Sequence, residues 1–173
     1  MAGRYGWKLT DELTNKMSEE HENQAGEHKQ AAEGAATRSG FVALIGPTNA
    51  GKSTLLNRLV GAKVSIVSHK VQTTRAIVRG IAIHDRTQIV FMDTPGIFKP
   101  RRRLDRAMVT SAWGGAKDAD FIMLLIDSER GLRGDIEQIL EGLKDVRQPK
   151  LLVLNKIDQV RPEELLKLAA AAN

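Results

Sequence analysis

From residue 41 onward, short apolar runs alternate with longer segments in which apolar residues recur at every third or fourth position. The short runs predict buried strands, and the three-to-four spacing predicts helices. The predicted strands are Phe41–Ile45, Ala76–His84, Gln88–Met92, Asp120–Ile126 and Lys150–Leu154, and the predicted helices are Lys52–Val60, Leu104–Lys117, Asp135–Lys144 and one that Pro162 opens. Such alternation favours an α/β fold in which a mostly parallel sheet lies between two layers of helices.

Two local features refine this pattern. The strands Ala76–His84 and Gln88–Met92 are separated only by the turn Asp85-Arg86-Thr87, which predicts an antiparallel hairpin inside the otherwise parallel sheet. Asp135 is the expected N-cap of its helix, and Gln138 three residues later completes the spacing of a capping box.

The first 40 residues lack the alternating pattern. Between Ser18 and Gly40 the chain is rich in Glu, His, Gln, Ala and Gly and holds almost no large apolar residue. Such a segment cannot bury enough apolar surface to offset the entropy lost on ordering. We therefore expect residues 1–40 to be a disordered N-terminal extension and residues 41–173 to form one domain.

Composition excludes several classes of protein. The 173 residues include no cysteine, which excludes disulfides and thiolate metal sites, and no apolar run approaches the length of a membrane span. Residues 1–40 hold five Lys/Arg and seven Asp/Glu, and residues 41–173 hold 21 and 14, so the predicted domain carries a net charge of +7. A polyanionic partner such as RNA or anionic lipid fits this charge, and a solvated basic surface is the alternative.

The sequence Gly46-Pro47-Thr48-Asn49-Ala50-Gly51-Lys52-Ser53 reads G-x-x-x-x-G-K-S between a predicted strand and a predicted helix. In this setting a glycine-rich turn directs backbone N–H groups at a phosphate, and the helix adds its positive end. Lys52 is expected to reach the outer phosphates, and the Ser53 hydroxyl is expected to hold Mg²⁺. An ordinary strand-to-helix turn is the alternative interpretation.

The motif Asp93-Thr94-Pro95-Gly96 directly follows the strand Gln88–Met92. An acidic residue at such a strand end positions Mg²⁺ in P-loop enzymes, and we expect Asp93 to do so through a water. Gly96 can bring its backbone N–H close to a γ-phosphate. A strand followed by a simple Thr-Pro-Gly turn is the alternative.

The motif Asn155-Lys156-Ile157-Asp158 follows the fifth predicted strand and has the chemistry to recognise a base. The Asp158 carboxylate can accept hydrogen bonds from guanine N1–H and the 2-amino group, while the Asn155 amide meets the N7/O6 edge and the Lys156 stem lies along the base. Adenine would leave Asp158 partly unpaired, at a cost of roughly 1–3 kcal/mol. A polar turn without a ligand is the alternative, and the order of the three motifs disfavours it.

Together the three motifs resemble the G domain of translation-factor-class GTPases of the TrmE-Era-EngA-like group, and the finer detail resembles the Era type. The resemblance covers about residues 40–173. It rests further on Gln72-Thr73-Thr74-Arg75 followed by Ala76, and on Ile97 directly after Gly96. It implies the three-layer sandwich of P-loop NTPases.

The resemblance also implies roles for individual residues. Ser53 and Thr74 would ligate Mg²⁺, Asp93 would act through water, and the two switch segments would be Ser65–Arg75 and Asp93–Arg106. Nucleotide contacts are expected from Gly46–Ser53 with Thr54, from Asp93–Ile97 and from Asn155–Asp158, and catalytic roles from Asn49, Lys52, Thr74 and Gly96.

An apolar residue stands where Ras-like proteins carry a glutamine that orients water. Ile97 cannot do this, so its replacement by alanine is expected to cost little turnover. Relatives with an apolar residue here often use K⁺ beside the phosphates, held partly by the asparagine that Asn49 matches. Asn49 is therefore a candidate K⁺ ligand, and an ordinary turn residue is the alternative.

The function implied by the resemblance is that of a GTP-hydrolysing switch in assembly of the small ribosomal subunit, with 16S rRNA as partner and the cytoplasm as location. A guanine-nucleotide-binding module without useful turnover is one alternative. A P-loop ATPase or kinase is another, which Asp158 disfavours. Expected cofactors are GTP or GDP and Mg²⁺, with K⁺ open. Peripheral contact with the inner face of the membrane is also open, and no stable oligomer is expected.

A complete G domain of this type has one more strand and one more helix, and the Era type continues into an RNA-binding KH domain. The sequence ends at Asn173 before these elements. We therefore expect a chain that is truncated within its G domain and leaves the strand Lys150–Leu154 as an exposed sheet edge. Such a chain is expected to be poorly soluble and to bind guanine nucleotide weakly.

Overall fold

A computed structural model of the protein describes residues 37–68 and 73–171. Most of the predicted N-terminal extension and Gln72 lie outside the described residues. The described strands are β1 (Arg38–Ile45), β2 (Val78–His84), β3 (Thr87–Asp93), β4 (Phe121–Asp127) and β5 (Lys150–Asn155). The described helices are α1 (Lys52–Val60), α2 (Arg103–Asp118), α3 (Asp135–Lys144) and α4 (Pro162–Ala171), with a 3₁₀ turn at Ile157–Gln159.

The five strands form one sheet in the order β2-β3-β1-β4-β5. Among the described strands only β2 and β3 pair antiparallel, as the short turn between them predicts. β1 pairs parallel with both β3 and β4, and β4 pairs parallel with β5. The parallel pairing brings the carboxyl ends of β1, β3, β4 and β5 to the same edge of the sheet. This confirms the predicted α/β fold and places the three motifs together.

Helices cover both faces of the sheet because successive side chains of each strand point to opposite faces. Ala43 and Ile45 of β1 pack in a core cluster with residues of α2 and α3, including Ala112 and Ile139. Leu44, between them, packs in a second cluster with Leu56 of α1 and residues of β3 and β4. The predicted three-layer arrangement is therefore confirmed.

The strand β5 lies at one edge of the described sheet, as expected, and Leu151 on it is 47% exposed. The helix α4, which follows β5, has no buried residue within its bounds. No helix in residues 37–68 or 73–171 combines the length and apolar composition that crossing a membrane requires. The expected truncation of the chain stays a prediction.

The bounds of α1 agree with the sequence pattern, and the start of α3 differs from it in one respect. The predicted bounds of α1 are confirmed, and Gly61 ends it in the left-handed conformation (φ 74°). The predicted capping box at Asp135 and Gln138 is wrong, because Gly134 is the N-cap of α3 and no side chain caps the helix. Gly134 adopts φ 67° and takes the N-cap position one residue before the predicted one. The Asp135 carboxylate therefore lies in the first turn of α3, where the helix dipole favours it.

Candidate functional site

A cavity of about 530 Å³ opens at the carboxyl edge of the sheet. Its size is typical of small-molecule sites. Parts of all three motifs line it, together with residues of the first switch segment. The predicted site residues among its lining are Thr48, Asn49, Gly51, Lys52, Ser53, Thr54, Thr74, Thr94, Gly96 and Lys156.

The turn between β1 and α1 takes its shape from residues with positive φ. A Cβ atom at Gly46, where φ is 154°, would lie 2.4 Å from the carbonyl oxygen of Leu125, so only glycine fits. Gly51 has φ 97°, and Asn49 adopts the left-handed conformation at φ 61°. The loop can therefore curl tightly ahead of α1, as a phosphate cradle requires.

The ammonium of Lys52 lies inside this loop. Its Nζ donates hydrogen bonds to the carbonyl oxygens of Gly46 (3.1 Å) and Pro47 (2.8 Å). The side chain is 6% exposed, and this burial lowers the pKa of Lys52 to about 8, although the nearby Asp93 carboxylate raises it. A buried ammonium beneath a glycine-rich loop suits a phosphate, which would compensate its burial.

The three predicted Mg²⁺ residues meet beside Lys52. Ser53 Oγ donates to Asp93 Oδ2 over 2.6 Å, Thr74 Oγ1 lies 3.4 Å from the same oxygen, and the two hydroxyl oxygens are 3.1 Å apart. Asp93 is fully buried, and its other oxygen, Oδ1, has no hydrogen-bond partner among the described residues. Hard oxygen donors around an incompletely satisfied carboxylate fit Mg²⁺.

The second motif packs closely against the first. A Cβ atom at Gly96 would lie 2.7 Å from Thr48 Cγ2 and 2.9 Å from Thr48 N, so a side chain there would force the two segments apart. Thr94 anchors the motif by donating its hydroxyl to the carbonyl oxygen of Leu44 over 2.7 Å. Pro95 is buried beside it.

Ile97 departs from the expectation for a nucleotide contact. Its backbone N–H donates to the carbonyl oxygen of Gly46 over 3.1 Å. Its side chain is 5% exposed and packs in the core cluster that contains Ala112 and Ile126. The side chain therefore lies in the core instead of the cavity, so its replacement should lower the stability of the fold. The expectation that turnover changes little stays a prediction.

The third motif is split between the cavity and solvent. Asn155 Nδ2 donates to the carbonyl oxygen of Ala50 over 2.8 Å, which ties the end of β5 to the phosphate loop. The second N–H of this amide suits the N7/O6 edge of a base, because both of those base atoms are acceptors. Lys156 has φ 58° and lines the cavity, whereas Ile157 and Asp158 are exposed in the 3₁₀ turn and do not line it. Base recognition by Asp158 stays a prediction.

Sequence reasoning missed the partner of Lys156. Lys156 Nζ lies 2.6 Å from Asp127 Oδ2, and the Asp127 side chain is 3% exposed. Arg130, which also lines the cavity, approaches the same carboxylate at 3.7 Å. The signal was present, because Asp127 ends a buried strand at the same sheet edge as Asp93.

Sequence reasoning also missed two residues outside the motifs. Ser65, at the start of the first switch segment, donates its hydroxyl to Asp93 Oδ2 over 2.7 Å. Asn57 of α1 hydrogen-bonds the backbone of Ser65. Neither residue lies at a spacing that marks it in the sequence.

Comparison with known proteins agrees with this geometry. The family profile described as 50S ribosome-binding GTPase matches residues 41–156. The GTPase Era of Sinorhizobium medicae (strain WSM419) is 86% identical over 143 residues, which cover 83% of this chain and 46% of that protein.

Two solved structures are also similar. Era in complex with MgGDPNP and nucleotides 1506–1542 of 16S ribosomal RNA superposes with a TM-score of 0.74 at 41% identity, over 79% of this chain and 47% of that chain. A variant of Aquifex aeolicus Era bound to GDP.AlF4- gives 0.73 at 41% identity, over 78% and 46%. The chain thus spans about half the length of the relatives it matches.

Proposed function

The chain belongs to the 50S ribosome-binding GTPase family, with a G domain of the Era type, and from this premise we propose that it binds guanine nucleotide and hydrolyses GTP to GDP and phosphate. The observation that supports this most strongly is the meeting of Lys52, Ser53 and Thr74 in one cavity, with the hydroxyls of Ser53 and Thr74 on the buried Asp93 carboxylate behind them. These residues come from the phosphate loop, the first switch segment and the end of β3. Only the folded chain brings them together.

Different residues are proposed to bind the phosphates, Mg²⁺ and the base. Backbone N–H groups of the loop before α1 and the Lys52 ammonium receive the phosphates. Ser53 and Thr74 supply hydroxyl oxygens to Mg²⁺, and Asp93 contributes through water. Mg²⁺, when bound, neutralises charge that develops on the phosphate oxygens. Asp158 pairs with guanine, and the Lys156 stem lies beside the base, held by Asp127.

Hydrolysis requires stabilisation of charge on the γ-phosphate without a water-orienting glutamine. The backbone N–H of Gly96 is the proposed donor to that phosphate. The core packing of Ile97 fixes the backbone on which this N–H depends. Asn49, exposed at the cavity in a left-handed conformation, is the candidate ligand for K⁺, which would do the electrostatic work of an arginine finger.

The proposed biological role is that of a switch in assembly of the small ribosomal subunit, acting on 16S rRNA in the cytoplasm. It rests on the solved complex of Era with a 16S rRNA segment and on the net charge of +7 over residues 41–173, where 21 Lys/Arg stand against 14 Asp/Glu. Nucleotide binding without useful turnover is the second candidate. Contact with a membrane face and the absence of a stable oligomer stay predictions.

Titration with a fluorescent GDP analogue tests the nucleotide site. Lys52→Ala should abolish binding, because it removes the ammonium inside the phosphate loop, and Ser53→Ala should selectively remove the Mg²⁺ dependence. Lys144→Ala is the matched control, since Lys144 is an exposed lysine on α3, 68% accessible and paired with Glu141. Normal GDP binding by Lys52→Ala would refute the phosphate cradle. GTP turnover in K⁺ then separates the GTPase from the binding module.

A further inference from the structure

We propose that Ser65 is a positioning residue that holds the Asp93 carboxylate for Mg²⁺ binding, and that Asn57 fixes Ser65 in this role. Neither residue belongs to the three motifs. The proposal rests on the proposed nucleotide site and adds a part that none of the motifs contains.

The first observation is how Ser65 approaches Asp93. Its side chain is 4% exposed, and its Oγ donates to Asp93 Oδ2 over 2.7 Å. Ser53 and Thr74, which reach the same oxygen, both line the cavity, whereas Ser65 does not. Ser65 therefore holds the carboxylate from the protein side, and a ligand that enters the cavity has no need to displace this hydrogen bond.

The second observation is how firmly Ser65 itself is held. Asn57 Oδ1 accepts the backbone N–H groups of Val64 and Ser65, both over 2.9 Å, and Asn57 Nδ2 donates to the carbonyl oxygen of Ser65 over 2.8 Å. One side chain of α1 thus forms hydrogen bonds with three backbone groups where the first switch segment begins. Through Ser65, α1 is linked to Asp93 at the end of β3.

The energetic reason is the burial of Asp93. A fully buried carboxylate is unfavourable unless hydrogen bonds and charges compensate it, and here one oxygen, Oδ1, has no hydrogen-bond partner among the described residues. The donor from Ser65 fixes Oδ2 and so sets the direction in which Oδ1 points. Ser53 and Thr74 also reach Oδ2, but if their oxygens ligated Mg²⁺, Ser65 would be the donor that stays on Oδ2. Without Ser65 the carboxylate would then lose its fixed orientation, and its contribution to the metal would weaken while the phosphate loop stayed intact.

The test is a Mg²⁺ titration of GDP affinity, measured with a fluorescent GDP analogue, for the wild type and Ser65→Ala. The Mg²⁺ concentration that gives half of the affinity gain should rise about tenfold in Ser65→Ala, the range expected for a lost hydrogen bond to a charged group. GDP affinity in excess EDTA should stay within about twofold of the wild type, because Lys52 and the loop before α1 are untouched. A merely structural role for Ser65 would lower both affinities together.

Further variants separate the effect of the Ser65 hydroxyl from a general loss of packing. Ser128→Ala is the control, because Ser128 is also buried, at 6% exposure, and its Oγ has no partner among the described residues. Ser65→Thr keeps the hydroxyl and should restore most of the Mg²⁺ response. Ser65→Cys preserves the packing with a weak donor and serves if the alanine variant does not fold. Asn57→Ala should shift the Mg²⁺ midpoint in the same direction, and the double variant should show less than the sum of the two effects.

An unchanged Mg²⁺ midpoint in Ser65→Ala and Ser65→Cys would overturn the proposal, as would an equal loss of affinity with Mg²⁺ and with EDTA. Failure of the wild type to bind GDP would instead refute the nucleotide site itself. The two failures are therefore distinguishable in one experiment.

Discussion

Nucleotide binding should be accompanied by proton uptake at Lys52. Burial lowers the pKa of this side chain from 10.5 to about 8, with the Asp93 carboxylate opposing the shift. A phosphate placed against the ammonium favours its charged form, so the pKa of Lys52 must rise when nucleotide binds. Each molecule in which Lys52 is neutral before binding must therefore take up a proton.

The expected size of the effect follows from the pKa of about 8. Lys52 should be neutral in about half of the free molecules at pH 8 and in about a tenth at pH 7. Binding of GDP should thus take up about half a proton at pH 8, and GDP affinity should fall about fourfold between pH 7 and pH 8.5. In the nucleotide-free protein, pH has the opposite effect on stability: the Lys52 contribution to the free energy of unfolding rises with pH, whereas GDP affinity falls. The unfolded chain holds its proton up to 10.5, so the contribution of Lys52 to the free energy of unfolding increases between pH 8 and that value.

Calorimetric titration with GDP in two buffers of different ionisation enthalpy counts these protons directly. The difference in apparent enthalpy between the buffers gives the uptake at each pH. Lys144→Ala, which removes an exposed lysine, should leave the count unchanged. Tight GDP binding at pH 8 with no proton uptake would show that Lys52 is already charged, and the inference from its burial would be refuted.

Separate tests apply to Ile97, Gly96 and Asn49. Ile97→Ala should lower the free energy of unfolding by about 2–4 kcal/mol in urea denaturation. Leu166→Ala, at a site 73% exposed, should change it by less than about 0.5 kcal/mol. Equal effects would contradict the core position of Ile97. Gly96→Ala should weaken the binding of GTP more than that of GDP in competition titrations, because the added Cβ would clash with Thr48 and displace the Gly96 backbone. Equal losses of affinity would argue against the γ-phosphate contact. Replacing Na⁺ by K⁺ should raise GTP turnover, and Asn49→Ala should flatten that response; turnover indifferent to K⁺ would remove Asn49 from catalysis.

Much of the fold and the approximate position of the site could be predicted because they depend on local patterns. The bounds of α1 and α3 follow from helical periodicity and flanking glycines, and the convergence of the motifs follows from the parallel strands that precede them. The predicted N-cap at Asp135 failed because Gly134 adopts a positive φ that no spacing rule reveals.

The remaining differences depend on tertiary packing. The sequence places Ile97 after a functional motif, and only the fold shows that its side chain turns into the core. Asp127 could have been marked, since it ends a strand at the same edge as Asp93. Ser65 and Asn57 could not, because the contact of Ser65 with Asp93 and that of Asn57 with Ser65 form only in the folded chain.

Competition between nucleotides shows whether the cavity is a guanine-nucleotide site. The protein is titrated with a fluorescent GDP analogue, and unlabelled GTP, ATP and xanthosine triphosphate are added as competitors to the wild type and to Asp158→Asn. We expect GTP to displace the analogue from the wild type and ATP to leave it bound. Asp158→Asn should lose GTP affinity and favour the xanthosine nucleotide, because the amide donates where the 2-oxo group accepts. Equal displacement by ATP and GTP, with GTP affinity unchanged in Asp158→Asn, would contradict the assignment of a guanine-nucleotide site.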